Sequence, residues 1–181
     1  MKWAYSSILA LAISGAAGAA YADDGEALLA TAPPRENVAS VPLLALSPSS
    51  FALQAERYLD RRFSIAASAA VDRAAGGDYQ SLGIGLGVEG RYWFKRRASG
   101  SGPFGAARLD VNRTSVSTAG ASIGSAWSFA ESALCGWRWI VSERVEITPA
   151  VGLVVHTELA TGLAASTRAT GTVGITAGWL F

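Results

Sequence analysis

The chain has very few of the residues that usually build enzyme sites and metal centres. Its 181 residues include one cysteine and one histidine, so no internal disulfide can form and most zinc ligand sets are excluded. Basic and acidic residues number 15 and 14, which leaves no excess of positive charge to attract nucleic acid. We therefore expect no metal, no cofactor and no nucleic-acid partner.

Long apolar runs are absent except at the start of the chain. Residues 1–22, MKWAYSSILALAISGAAGAAYA, combine a basic Lys2, a short apolar segment and an Ala-Tyr-Ala cleavage site. This pattern predicts a cleaved secretory signal peptide, because the apolar segment is too short for a membrane-spanning helix. Residues 23–37 carry charges and two prolines and are predicted to be a flexible periplasmic leader. The remaining residues, 38–181, form the predicted domain.

After residue 40 the apolar residues do not recur at helical spacing. Short alternating runs separated by Gly, Asp, Ser and Arg predict an all-β domain. Eight strands are expected, at residues 37–46, 50–59, 62–72, 79–94, 103–116, 122–141, 145–159 and 167–181. Connections at 60–61, 95–102 and 142–144 would lie on the periplasmic side. Those at 72–78, 115–122 and 160–167 would lie outside, so the chain is predicted to form an up-and-down barrel.

The two faces of these strands differ in chemistry. In VEITPAVGLVVHTEL (residues 145–159) one face is aliphatic, and the other carries Gly, Thr and charges. Few large apolar groups lie on the second face, mainly Leu134, Val154 and Leu180. Small residues and nearly balanced charges favour a narrow interior in which Arg and carboxylates pair and fill the space. The predicted lumen charge network consists of Glu56, Glu89, Arg91, Arg108, Asp110, Arg138, Glu146, Glu158 and Arg168.

Aromatic residues cluster at strand ends on the aliphatic face. They are Tyr92, Phe94, Trp137, Trp139, Trp179 and Phe181. Such girdles mark the membrane interfaces of transmembrane barrels, although core aromatics of a soluble sandwich would give the same pattern. Glu131 interrupts the aliphatic face. Either a β-bulge lies between Trp127 and Trp137, or Glu131 lies above the hydrocarbon band, which we favour. Next to lipid-facing Val151, the inward Gly152 is expected to accept a small polar side chain.

The terminal segment VGITAGWLF and the segments EGRYWF, GPFGAARLDV and ALCGWRWI resemble the small outer-membrane β-barrel families of Gram-negative bacteria, of the OmpA/OmpX/OmpW type. The resemblance implies an eight-stranded transmembrane barrel in the outer membrane, in contact with outer-membrane lipids and expected to be a monomer. It also implies that the barrel-assembly machinery reads the C-terminal strand through Val173, Ile175, Trp179 and Phe181.

Three functional classes remain open: a structural or surface-interaction barrel, a narrow channel, and a barrel enzyme acting on lipid. Paired lumen charges favour the first class, because they would close the path. The enzyme is disfavoured, because the resembling lipid A deacylases have a serine two positions after the histidine. Here Glu158 follows His156 at that position. We predict a non-enzymatic barrel with a largely plugged lumen and no catalytic residue.

Overall fold

The computed structural model describes residues 37–43, 50–94, 101–118, 121–160 and 165–181. In these ranges the chain forms one closed barrel, with strands in sequence order and every neighbour antiparallel. The strands are β1 (Asn37–Pro42), β2 (Ser50–Tyr58), β3 (Phe63–Gly76), β4 (Tyr79–Trp93), β5 (Gly102–Thr118), β6 (Ala121–Ile140), β7 (Val145–Ala160) and β8 (Ser166–Leu180). The predicted eight-stranded antiparallel barrel is confirmed. The predicted signal peptide (1–22) and residues 23–36 of the predicted leader lie outside the described residues.

Pairing of β1 with β8 closes the barrel and sets its stagger. A path of paired residues leaves β8 at Trp179 and crosses to β1 at Ala39. It continues strand by strand and returns to β8 at Ala169. The return point is ten residues from the start (179 minus 169). Such a stagger over eight strands corresponds to a strand tilt of about 40° from the barrel axis.

The alternating sequence pattern decides which face of each strand is buried. Outward-facing aliphatic side chains are exposed along the barrel wall, among them Leu86, Leu153 and Val173. Inward-facing side chains include most of the buried polar and charged groups. A soluble protein buries its apolar side chains, so the distribution here is inverted. No helix in the described ranges is long and apolar enough to cross a membrane.

The two ends of the barrel differ. We call the end that holds Asn37 and Phe181 the terminal end. It also carries the turn residues 59–62 and 141–144. The opposite end, the loop end, carries the turn at Gly77–Asp78, where Gly77 has a φ of +59°, a conformation that favours glycine.

Strands extend further toward the loop end than the sequence predicted. Most of the predicted connections at 72–78 and 115–122 belong to strands, and β3 pairs with β4 up to Gly76↔Tyr79. Small or polar residues, DRAAG at 72–76 in β3, continue the backbone ladder there after the apolar alternation has ended. Alternation alone therefore placed the strand ends too early.

The register of β6 resolves the position of Glu131. Pairing with β5 is continuous from Gly124 to Arg138, and its irregularity lies instead at Val116/Ser117. No bulge therefore separates Trp127 from Trp137, and Glu131 lies on the outer face between Leu109 and Val155. At about 2.5 Å of height per residue, it lies roughly 10 Å below Trp127. The expectation that Glu131 lies above the apolar band is wrong, because Trp127 marks a higher level on the same strand face.

Candidate functional site in the barrel lumen

A buried ionic network lies in the lumen near the terminal end. Glu56 Oε2 accepts hydrogen bonds from Arg91 Nη1 at 2.7 Å and from Arg138 Nη2 at 2.5 Å. Arg91 Nε also donates to Glu89, and Arg138 Nε lies 2.8 Å from Glu146 Oε2. The side chains of Arg138, Glu56 and Glu146 are 0%, 1% and 1% exposed. These five residues form what we call the lumen network.

Strand register explains why opposite charges meet. Glu89 of β4 lies directly opposite Arg108 of β5, and same-face neighbours two residues apart on each strand extend the row toward Arg91 and Asp110. Arg108 Nη2 donates to Asp110 Oδ1 at 2.7 Å, and Arg108 Nη1 lies 3.7 Å from Glu89 Oε2. Arg108 and Asp110 are partly exposed, so they continue the lumen network toward the loop end.

An apolar cluster lies in the lumen at the terminal end. It consists of Val38, Tyr58, Trp93, Phe104 and Leu180, all buried, and we call it the aromatic plug. Arg138 Cζ lies 4.4 Å from the Trp93 ring centre, and Arg91 Cζ lies 5.1 Å from that of Phe104. Both guanidinium groups thus cover aromatic faces, a favourable arrangement where water is excluded. The plug and the lumen network form one continuous packed layer.

Sequence reasoning missed most of the aromatic plug, although the signal was available. It named Leu134, Val154 and Leu180 as the large apolar lumen residues. Alternation places Trp93 on the same strand face as Arg91, and Phe104 on the same face as Arg108. Counting inward positions through to the strand ends would have found both aromatic residues.

Glycines of β4 and β6 provide space for the lumen side chains. A Cβ atom on Gly85 would overlap Asn112, and one on Gly87 would overlap Asp110. A Cβ on Gly136 would lie 2.5 Å from the ring of Phe104, which is closer than real Cβ contacts allow. The segment GIGLGVEG thus belongs to a strand whose small inward residues admit polar side chains from β5.

A cavity of about 410 Å³ lies in the lumen toward the loop end, where polar residues that include Ser50, Asp72 and Asn112 line it. The structure does not bring Glu158 and Arg168 into the lumen network, because they lie near the loop end of β7 and β8. They are 55% and 71% exposed, and their nearest charged atoms are 4.0 Å apart. The half-buried His156 faces Arg168 across the β7–β8 pair.

The six aromatic residues predicted at a membrane interface all lie at the terminal end. They lie in the last residues of β4, β6 and β8 or directly after them, and Phe63 at the start of β3 joins them through a 5.1 Å ring contact with Tyr92. We call these seven residues the terminal belt. Arg62 donates to the Tyr92 hydroxyl at 3.1 Å, and Arg144 lies over the Trp179 ring. The residues of the predicted assembly signal, Val173, Ile175, Trp179 and Phe181, follow the outer face of β8.

The lumen network is an immobilised ion cluster in which two guanidinium groups lie among three carboxylates. Each guanidinium contacts at least one carboxylate, and Arg–carboxylate hydrogen bonds of this kind are strong and directional. Within the described ranges, no group of three or more His, Cys, Asp or Glu residues could hold a metal ion. The arrangement therefore links β2, β4, β6 and β7 across the lumen.

Comparison with known proteins supports the fold. No protein-family model matches the chain, and no curated protein matches it. The structure is similar to the crystal structure of Neisserial surface protein A, with a TM-score of 0.56 and 17% sequence identity. The match covers 81% of this chain and 95% of that chain. That protein is an outer-membrane eight-stranded barrel, so the two chains share the architecture that the sequence pattern predicted.

Proposed function

We propose that this chain is an integral outer-membrane barrel, exported by its signal peptide, with a closed lumen and a structural or surface-interaction role. The observation that carries the proposal is the inverted distribution of polarity. Charged side chains such as Arg138 and Glu146 are buried inside, whereas Leu86, Leu153 and Val173 are exposed outside. A closed barrel with an apolar exterior satisfies its backbone hydrogen bonds within the wall, as a membrane requires.

The terminal belt supports a definite depth in the membrane. Trp, Tyr and Phe rings favour the boundary between hydrocarbon and headgroups. Trp127 lies on the outer face toward the loop end, twelve residues before Trp139 on β6. At a tilt of about 40°, twelve residues span roughly 30 Å along the axis, the thickness of a hydrocarbon core. The short turns and both described termini would then lie on the periplasmic side.

The lumen network and aromatic plug favour a closed barrel over a channel. An ion that crossed the lumen would have to displace Arg138 from Glu56 and Glu146, whose side chains are almost completely buried. Removing one member of a buried ion pair costs about 3–5 kcal/mol. The packed rings of Trp93 and Phe104, 5.1 Å apart, block the same cross-section. We therefore place the protein among non-enzymatic barrels that contact their surroundings through the loop end.

The proposal includes the partners that the sequence suggested. Outer-membrane lipids would contact the apolar exterior, and the barrel-assembly machinery would recognise β8 through its outward residues. A monomer is expected because β1 and β8 pair with each other and close the barrel within one chain.

The proposal is tested by folding and conductance together. Purified protein in lipid vesicles should migrate differently on gels with and without heating, as folded barrels do. In planar bilayers the wild type should give no sustained current, with a general porin as the control for detection. A steady single-channel conductance would refute the closed lumen and favour the narrow channel. Failure to insert into vesicles would refute the membrane barrel itself.

A further inference from the structure

An apolar groove crosses the outer face of β1 to β4 near the terminal end. Its volume is about 460 Å³, within the usual range of small-molecule sites. Outward-facing Ala55, Ile65, Ala67 and Val88 line it, with Phe181 at its lower end. Ala55, Ala67 and Val88 are laterally paired on neighbouring strands. Because the strands tilt, this row rises from the terminal belt toward the middle of the barrel.

A cation lies where the groove meets the terminal belt. Arg57 lines the groove and is exposed on the outer face of β2, directly opposite Asn37 of β1. A guanidinium and an amide side by side offer several hydrogen-bond donors to a phosphate or carboxylate. Farther up the groove, Ile65 and Val88 offer only apolar surface.

We propose that this groove binds one anionic phospholipid of the inner leaflet. The inference rests on the proposed membrane location, because it assigns a ligand to part of the lipid-facing surface. One acyl chain lies along Ala55, Ala67 and Val88, and the phosphate contacts Arg57 and Asn37. The groove thus combines the two chemistries of a phospholipid at the depth where a headgroup meets its chains.

Other charged residues at the terminal end also attract or repel an anionic headgroup. Arg61, Arg62 and Arg144 in the turns add positive charge. Asp60 opposes them, although its Oδ1 already accepts hydrogen bonds from the backbone of Arg62 and Phe63 at 2.6 and 2.8 Å. We therefore assign the preference for an anionic headgroup mainly to Arg57, which is the cation inside the groove.

Native mass spectrometry of the full-length mature chain can test the assignment. The protein is released from micelles that contain equal amounts of dioleoyl phosphatidylglycerol and dioleoyl phosphatidylcholine, and the retained lipids are counted. Wild type should retain one phosphatidylglycerol, preferred over phosphatidylcholine by about fivefold, the effect of one arginine near an anionic lipid. Arg57→Gln should bring the ratio near one. Ala67→Leu should fill the groove and reduce retention of both lipids.

Matched control variants distinguish lipid binding in the groove from non-specific lipid contact elsewhere on the barrel. Arg113→Gln changes an outward arginine toward the loop end, and Ala133→Leu changes an outward alanine of β6, outside the groove. Both should retain lipid as wild type does. Equal retention of the two lipids by wild type, or an equal effect of Arg57→Gln and Arg113→Gln, would overturn the proposal. A heat-modifiable, vesicle-inserted barrel with no lipid preference would refute only this inference and leave the membrane barrel intact. Should Ala67→Leu fail to fold, Arg57→Gln alone decides.

Discussion

Replacing Arg138 with methionine should strongly destabilise the barrel. The Arg138 side chain is 0% exposed and contacts Glu56 and Glu146 at 2.5 and 2.8 Å. Methionine keeps much of the length and packing of the side chain against Trp93 but removes its charge. Two buried carboxylates then lose a shared cation. Arg91 remains 2.7 Å from Glu56, but it is then the one guanidinium left among the three carboxylates of the lumen network.

The expected magnitude follows from the cost of breaking a buried ion pair. Removing one partner of such a pair typically costs about 3–5 kcal/mol, because the remaining charge stays buried without compensation. Replacing both partners by neutral groups is often nearly neutral. The double variant Arg138→Met with Glu146→Gln should therefore recover most of the loss, to within about 1–2 kcal/mol of wild type.

Equilibrium urea unfolding in phosphatidylcholine vesicles, followed by tryptophan fluorescence and gel migration, measures these differences. Arg168→Met is the matched control, because Arg168 lies 4.0 Å from Glu158 near the loop end and its side chain is 71% exposed. It should change stability by less than about 1 kcal/mol. The reasoning fails if Arg138→Met behaves like Arg168→Met, or if adding Glu146→Gln makes the Arg138 variant still less stable.

Three further predictions concern the outer face and its boundary. Deleting Phe181 should lower the amount of heat-modifiable protein in the outer membrane, because it removes the last outward aromatic of β8; unchanged levels would contradict this. Val173→Arg should cost about 2–4 kcal/mol of unfolding free energy in vesicles, as cations facing mid-bilayer lipid do. Gly174→Ser should be tolerated, since a Cβ there meets nothing within 4 Å; the reverse ranking would mean a register error in β8. Glu131→Leu should stabilise the barrel by about 1–2 kcal/mol, because it removes a lipid-facing charge, whereas Glu143→Leu in an exposed turn should not.

The architecture could be predicted because strand alternation depends on local sequence alone. Each outward or inward position follows from counting by two, so the eight strands and the inward direction of Glu89, Arg91 and Arg108 are readable from the chain. The sequence does not show which side chains contact each other across the lumen. The contact between Glu56 and Arg138 joins residues 82 positions apart, and it depends on the stagger that carries β2 and β6 to the same height.

The expectation that Gly152 accepts a small polar side chain is wrong, because the backbone around it is closely packed. Gly152 faces the lumen as predicted, but it does not have room for a small polar side chain. An added Cβ would overlap the carbonyl oxygen of Ala133 and would lie 2.9 Å from Leu134 Cα. Backbone atoms cannot move aside as a flexible side chain can, so Gly152→Ser should destabilise. An inward position alone therefore does not predict whether a larger side chain is tolerated. The distance between the backbones of β6 and β7 at that position determines it.

The barrel concentrates its internal stabilisation at one end, and this asymmetry bears on function. Near the terminal end, the aromatic plug and lumen network link β1, β2, β4, β5, β6, β7 and β8 across the lumen. Toward the loop end, the lumen widens into a polar cavity, and the Glu158–Arg168 pair is exposed. Exposed ion pairs contribute little stability, so the hairpins there depend mainly on their backbone ladders and can vary in sequence at small cost. The packed terminal end and the weakly constrained loop end are the features that support the proposed barrel, which would contact its surroundings on one side of the membrane without conducting across it.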